Sequence, residues 1–86
     1  MSYSLQIITP QGKVYDSEVE HLEVPGDPGF VGVLSHHAPF ITSSAGGRLS
    51  IREKGGKTRT FNIGVGFFET HKNQALLMAE SFSERN

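Results

Sequence analysis

Apolar and polar positions alternate along most of this 86-residue chain. Tyr3, Leu5 and Ile7 fall on one phase and Ser4 and Gln6 on the other, the period-two signature of a half-buried strand. Pro10, Gln11 and Gly12 break that phase. Residues 13–19, with Val14, Tyr15 and Val19, read as the return leg of a hairpin. Residues 20–24 place Glu20, Leu22 and Val24 on one face and His21 and Glu23 on the other. Asp27, Pro28, Gly29 and Phe30 fit a type II turn, because proline presets φ at its second position and glycine takes the positive φ at its third. Residues 31–34 form a short strand with Val31 and Val33 on one side. Ala38 is pushed to extended geometry by Pro39, and residues 40–44 continue as strand. After a break at Ala45, Gly46 and Gly47, residues 48–53 turn Leu49 and Ile51 inward. Residues 54–57 are a hairpin turn built on the glycine pair, and residues 58–63 return with Phe61 and Ile63 on one face. Gly64, Val65 and Gly66 read as a bulge or a close backbone approach. A strand at 67–69, a turn at Lys72 and Asn73 and a last strand at 74–80 follow. The polar tail 81–86 is expected to fray. No segment holds a 3.6-residue period over ten positions. The pattern predicts an all-β fold, an antiparallel sandwich or barrel of nine or ten short strands, as a single domain over residues 1–86.

Composition narrows the function classes. A chain of this size buries roughly 60–65% of the surface its unfolded form exposes, so its core is thin and a partner can share the stabilisation. Net charge is −1, which offers few cationic contacts for phosphates and argues against nucleic acid. There is no cysteine, hence no disulfide scaffold and no thiolate metal site. The first residues show neither the basic nor the apolar region of a secretory signal, and no apolar run reaches a membrane span. A soluble, cytoplasmic protein without direct membrane insertion is expected. Asp16, Glu18, Glu20, Glu23 and Asp27 form an acidic block, and Arg48, Arg52, Lys54, Lys57 and Arg59 a basic one. They read first as solvated strand pairs and second as surfaces that steer docking.

The most varied chemistry lies in residues 24–40, which hold three of the four prolines, three of the ten glycines and two of the four histidines. His36 and His37 are adjacent and point to opposite faces of an extended chain, so they do not converge on one ion. Ser35 and His37 share a face, but no orienting acid, strained nucleophile turn or oxyanion hole has a sequence signature. Gly26, Gly29 and Gly32 recur without the ending or the helix of a phosphate loop. No catalytic, metal or cofactor-binding residue is therefore assigned. A sugar-binding sandwich is disfavoured by the absence of Trp. A binding or structural module remains. Phe67 and Phe68 support it, because neighbours in a strand face opposite ways and a thin sandwich buries only one.

With these residues in view, the chain resembles the N-terminal β-domain of the epsilon subunit of rotary F-type ATP synthase. The match runs from residues 3–10, followed by Val14 and Tyr15, through residues 24–39. Gly32, Val33, Leu34, His37, Ala38, Pro39 and Thr42 follow the family pattern there, and Gly47, Leu49 and Ile51 its next strand. Gly66, Phe67, Phe68 and Glu69 match a Gly-Phe-apolar-Glu motif, and Leu77, Met78, Ala79 and Glu80 the last strand. The resemblance implies ten strands in two five-stranded sheets and a noncatalytic central-stalk role. It implies partners in the gamma subunit and the polar loops of the c-ring, with transient contact to catalytic beta subunits, and a peripheral place on the cytoplasmic face of an energy-transducing membrane. There the subunit helps couple proton-driven rotation to ATP synthesis. Gly26, Asp27, Pro28, Gly29, Phe30, Gly32 and His37 are the implied c-ring-facing loop. His36, Pro39, Phe67 and Phe68 are candidates for the gamma interface. The family's Pro-Gly-His is Ser35, His36 and His37 here, and Phe30 occupies a position that is often acidic. The sequence ends where the family's C-terminal helical hairpin would begin, so the resemblance assigns neither ATPase inhibition nor ATP binding, and the polar ending reads as a naturally short form. The alternative is an unrelated β-sandwich module that binds a peptide or protein.

Overall fold

The computed structural model describes residues 2–25, 30–34 and 39–85, with the backbone alone for residues 30, 31, 33 and 34. Nine strands account for most of them: β1 (Tyr3–Thr9), β2 (Gly12–Pro25), β3 (Phe30–Leu34), β4 (Phe40–Ser44), β5 (Gly47–Glu53), β6 (Thr58–Ile63), β7 (Gly66–His71), β8 (Gln74–Ala79) and β9 (Phe82–Glu84). They form one hydrogen-bonded order, β4-β7-β8-β1-β2-β5-β6-β9, with β3 added to β2. Laid flat, the eight strands of that path would span roughly 34 Å at their usual spacing. The molecule measures only 28 × 27 × 24 Å, so the sheet must fold over on itself.

The fold-over happens within β2. Its first half pairs β1, from Gly12 to Val19, and its second half pairs β3 and β5, from Val19 to Pro25. The register slips between Val19 and His21, where the strand passes from one layer to the other. One layer is β4-β7-β8-β1 with the first half of β2, and the other is β3, the second half of β2, β5, β6 and β9. The two expected strands at 13–19 and 20–24 are thus one 14-residue strand. That accounts for nine strands where about ten are expected, although each layer still has five members. The sheet is also mixed, because β1 and β8 run parallel.

Both layers feed one core. Leu5, Ile7, Phe68 and Leu77 enter from the first and Leu22, Leu49, Ile51 and Phe61 from the second, all essentially removed from solvent. Burying each such side chain contributes about 1.5–3 kcal/mol. The turns follow their residues. Gly55 and Gly56 take φ of 100° and 95°, as the glycine pair predicts. Lys72 and Asn73 both sit in the left-handed region, at 51° and 58°, and Asn73 Nδ2 donates to the Ser2 carbonyl at 3.0 Å, tying down the N-terminal end.

The tail is ordered, contrary to the expected fraying. β9 pairs β6, and Phe82 stacks on Phe61 with ring centroids 4.6 Å apart. Arg59 donates to both oxygens of Glu84, at 3.0 and 2.7 Å, and to Glu53 at 3.0 Å. One aromatic position and one ion pair therefore anchor a segment whose composition is polar.

Candidate docking surface

The constrained stretch between β2 and β4 is carried on a hairpin, with ladder partners running from His21 and Leu34 to Pro25 and Phe30. Its base is pinned to the corner between β4 and β5. The Pro25 carbonyl accepts from Ala45 N and from the buried Ser44 Oγ, both at 3.0 Å. Gly26, Asp27, Pro28, Gly29, His36 and His37 lie outside the described residues, as do the expected type II turn and the side chain of Phe30. Gly32 is exposed on β3, where an added Cβ would stand 3.5 Å from His21 Nε2. Pro39 is exposed at the start of β4.

The pair Phe67 and Phe68 divides as strand geometry requires. Phe68 is fully buried and packs on Phe40, with ring centroids 5.8 Å apart, so it leaves the set of partner-facing candidates. Phe67 is 55% exposed.

Phe67 is not isolated. Strand register aligns Ser43, Phe67, Met78 and Ile8 across β4, β7, β8 and β1 on the outer face of the first layer. Ile41 and Val65 stand beside this row, and at its β2 end Ile8 pairs Lys13, with Val14 next to it at the register shift, all exposed. A groove of about 730 Å³ runs along it, lined among others by Ile8, Val65, Phe67 and Met78. The next row holds Ile41, Glu69, Leu76, Gln6 and Asp16, and the one after it His71, Gln74, Ser4 and Glu18. The face therefore grades from apolar to polar along the strands. Monomeric proteins rarely leave a contiguous apolar patch of this kind open to water.

The second layer is different. Its outer positions include His21, Glu23, Ser50, Arg52, Thr58 and Thr60, and several of its charges are paired within the chain. Arg52 reaches Glu20 at 3.4 Å, and Glu20 also accepts from Gly55 N. Tyr15 donates to Glu53 at 2.6 Å, which, with Arg59 beside it, holds the Glu53 carboxyl below its ordinary range. Burial, then Glu53, pushes the Tyr15 phenol up. One member of each block thus meets the other across β2 and β5, as Arg52 and Glu20, in line with the solvated-pair reading. His21 and His71 sit on opposite outer faces. Among the described residues no three His, Asp or Glu side chains converge as a metal site would require.

The arrangement is a small sandwich with one face suited to being covered, the form of a structural docking module. Residues 2–85 match the family model of the ATP synthase delta/epsilon chain beta-sandwich domain, and the chain belongs to that family. It is 40% identical over 79 residues to the ATP synthase epsilon chain of Pelotomaculum thermopropionicum, covering 90% of this chain and 57% of the relative. It is 36% identical over 81 residues to that of Desulfatibacillum aliphaticivorans, covering 94% and 57%. The chain thus spans less than two thirds of the length of these relatives. Its fold is shared with a chain in a cryo-EM structure of the Euglena gracilis mitochondrial ATP synthase, comprising OSCP, F1 and c-ring (TM-score 0.87, 20% identity, 93% of this chain and 51% of that one). It is shared too with a chain from the central stalk and c-ring of the Tetrahymena thermophila enzyme (TM-score 0.78, 14% identity, 93% and 64%).

Proposed function

We propose that this chain is a noncatalytic central-stalk subunit of an F-type ATP synthase. It holds the gamma subunit through the apolar outer face of the first layer, and Gly26, Asp27, Pro28, Gly29, Phe30, Gly32 and His37 meet the polar loops of the c-ring. In this role it rotates with the stalk and helps couple proton-driven rotation to ATP synthesis, as a peripheral subunit on the cytoplasmic face of the membrane. The observation that carries the reading is the row Phe67, Met78 and Ile8, an exposed apolar surface on a chain that belongs to an ATP synthase family. Among the described residues no helix is long and apolar enough to cross a membrane. Gly32 of the ring-facing set and Pro39 and Phe67 of the partner-facing set are exposed.

Co-expression with the gamma subunit of the same organism tests the reading. A stable stoichiometric complex on size exclusion is expected. Failure to co-purify where gamma is folded would return the chain to the alternative of an unrelated peptide- or protein-binding sandwich.

A further inference from the structure

We infer that the row Phe67, Met78 and Ile8 receives one amphipathic helix of the partner, laid across the strands, with its apolar stripe on the row and Lys or Arg along its flanks. This rests on the reading that the face binds gamma, and it states what gamma must present there. The row supplies one apolar side chain per strand, and neighbouring strands lie about 4.8 Å apart. A helix turn rises about 5.4 Å, so residues at i, i+4 and i+7 meet successive strands in step. An extended segment laid the same way repeats its apolar side chains every 6.8 Å or about that, and falls out of step within two strands.

The flanks define the charge. Glu80 lines the groove on one side of the row. Glu69 stands one outward position beyond Phe67 on the other side, and Asp16 lies in the same row three strands further along. Asp16 is tied to Lys13 at 3.0 Å, whereas Glu69 and Glu80 carry no ion pair among the described residues. With Glu18 the face presents four carboxylates against Lys13, whereas in the second layer Arg52 pairs Glu20 and Arg59 pairs Glu53 and Glu84. Acidic flanks on an apolar row attract a cationic amphipathic partner and repel an acidic one.

The test is the affinity of this chain for gamma at about 50 mM and about 500 mM NaCl, with the double variant Glu69→Gln/Glu80→Gln alongside. Wild type should weaken roughly tenfold across that range. The double variant should bind several-fold more weakly at low salt, with a flatter salt dependence and an unchanged melting temperature. Hydrogen exchange on gamma should show protection gained in one helix that carries basic residues beside an apolar stripe. A complex indifferent to salt and to both substitutions, or protection confined to a strand or loop of gamma, overturns this inference and leaves the gamma reading standing. No complex with wild type overturns both.

Discussion

A methyl group at Gly66 would collide with the backbone carbonyl of Met78 on the neighbouring strand β8. The glycines at 12, 55 and 56 differ in kind: each has a positive φ, and nothing lies within 4 Å of where a Cβ would be. Those three serve turn conformation, while Gly66 lets two backbones approach. Because the obstacle is backbone, no rotamer change relieves it, and β7 or β8 must shift. Gly66→Ala is therefore expected to destabilise the fold by about 3 kcal/mol, read as a lower urea midpoint. Gly55→Ala should cost roughly 1 kcal/mol, the penalty of one strained turn residue in open space. Equal costs would show that β7 and β8 shift apart with little loss and that the close approach at Gly66 is not what holds them. The alternation around Gly66 is visible in the sequence, but the contact is not, because Met78 is brought opposite by strand pairing and not by any local signal.

Strand β9 shows how few residues an element needs when its neighbours are prepared. Phe82 supplies the apolar contact, Arg59 clamps Glu84, and Arg85 N bonds the Thr60 carbonyl at 2.8 Å. The Arg59 hydrogen bonds hold the Glu84 carboxyl below its ordinary value of 4.5, as the Tyr15 hydrogen bond and Arg59 do for Glu53. A carboxylate with a lowered folded pKa contributes stability that is fully present above the unfolded value and is lost as pH falls through the folded one. The denaturation midpoint should thus be flat above about pH 5 and fall below it, with a shallower fall in Glu84→Gln. Exchange of the Phe82–Glu84 amides should speed up in that variant at neutral pH while the β1 amides stay protected. Unchanged exchange would mean that Phe82 alone holds the strand. Most of the fold is legible from periodicity: β1 and β4 to β8 fall where alternation puts them, and the turn on the Gly55 and Gly56 pair follows its residues. Three features are not. β2 reads as two strands because the phase slips at a bulge, which backbone pairing spans. The parallel pairing of β1 with β8 depends on distant partners. The tail fails because polarity describes its average, while its docking depends on Phe82 and Glu84.

For the whole molecule, the decisive property is the difference between its two outer faces. The second layer carries paired charges at Arg52 with Glu20 and at Arg59 with Glu53 and Glu84, and the first leaves Phe67, Met78 and Ile8 aligned and open. The sequence carries a signal for this in apolar doublets within strands, Ile7 with Ile8, Phe67 with Phe68 and Leu77 with Met78. Each puts one member inside and one outside. A single doublet names one exposed residue, and only the register of three strands turns three doublets into a row. The two phenylalanines then give a paired test of what the outward set is for. Phe67 is in contact with water, so Phe67→Asp loses little burial, and strand propensity limits its cost to about 1 kcal/mol. Phe68 fills the core beside Phe40, so Phe68→Ala should cost about 3–5 kcal/mol through the cavity it leaves. Urea denaturation and gamma co-purification, run on both variants, separate the roles. Phe67→Asp should remain folded and fail to hold gamma, because a carboxylate would be buried at the centre of an apolar contact already framed by acids. Phe68→Ala should hold gamma in proportion to its folded fraction. Full retention of gamma by Phe67→Asp would place the seam elsewhere on the sandwich, and the exposed row would then need a different occupant.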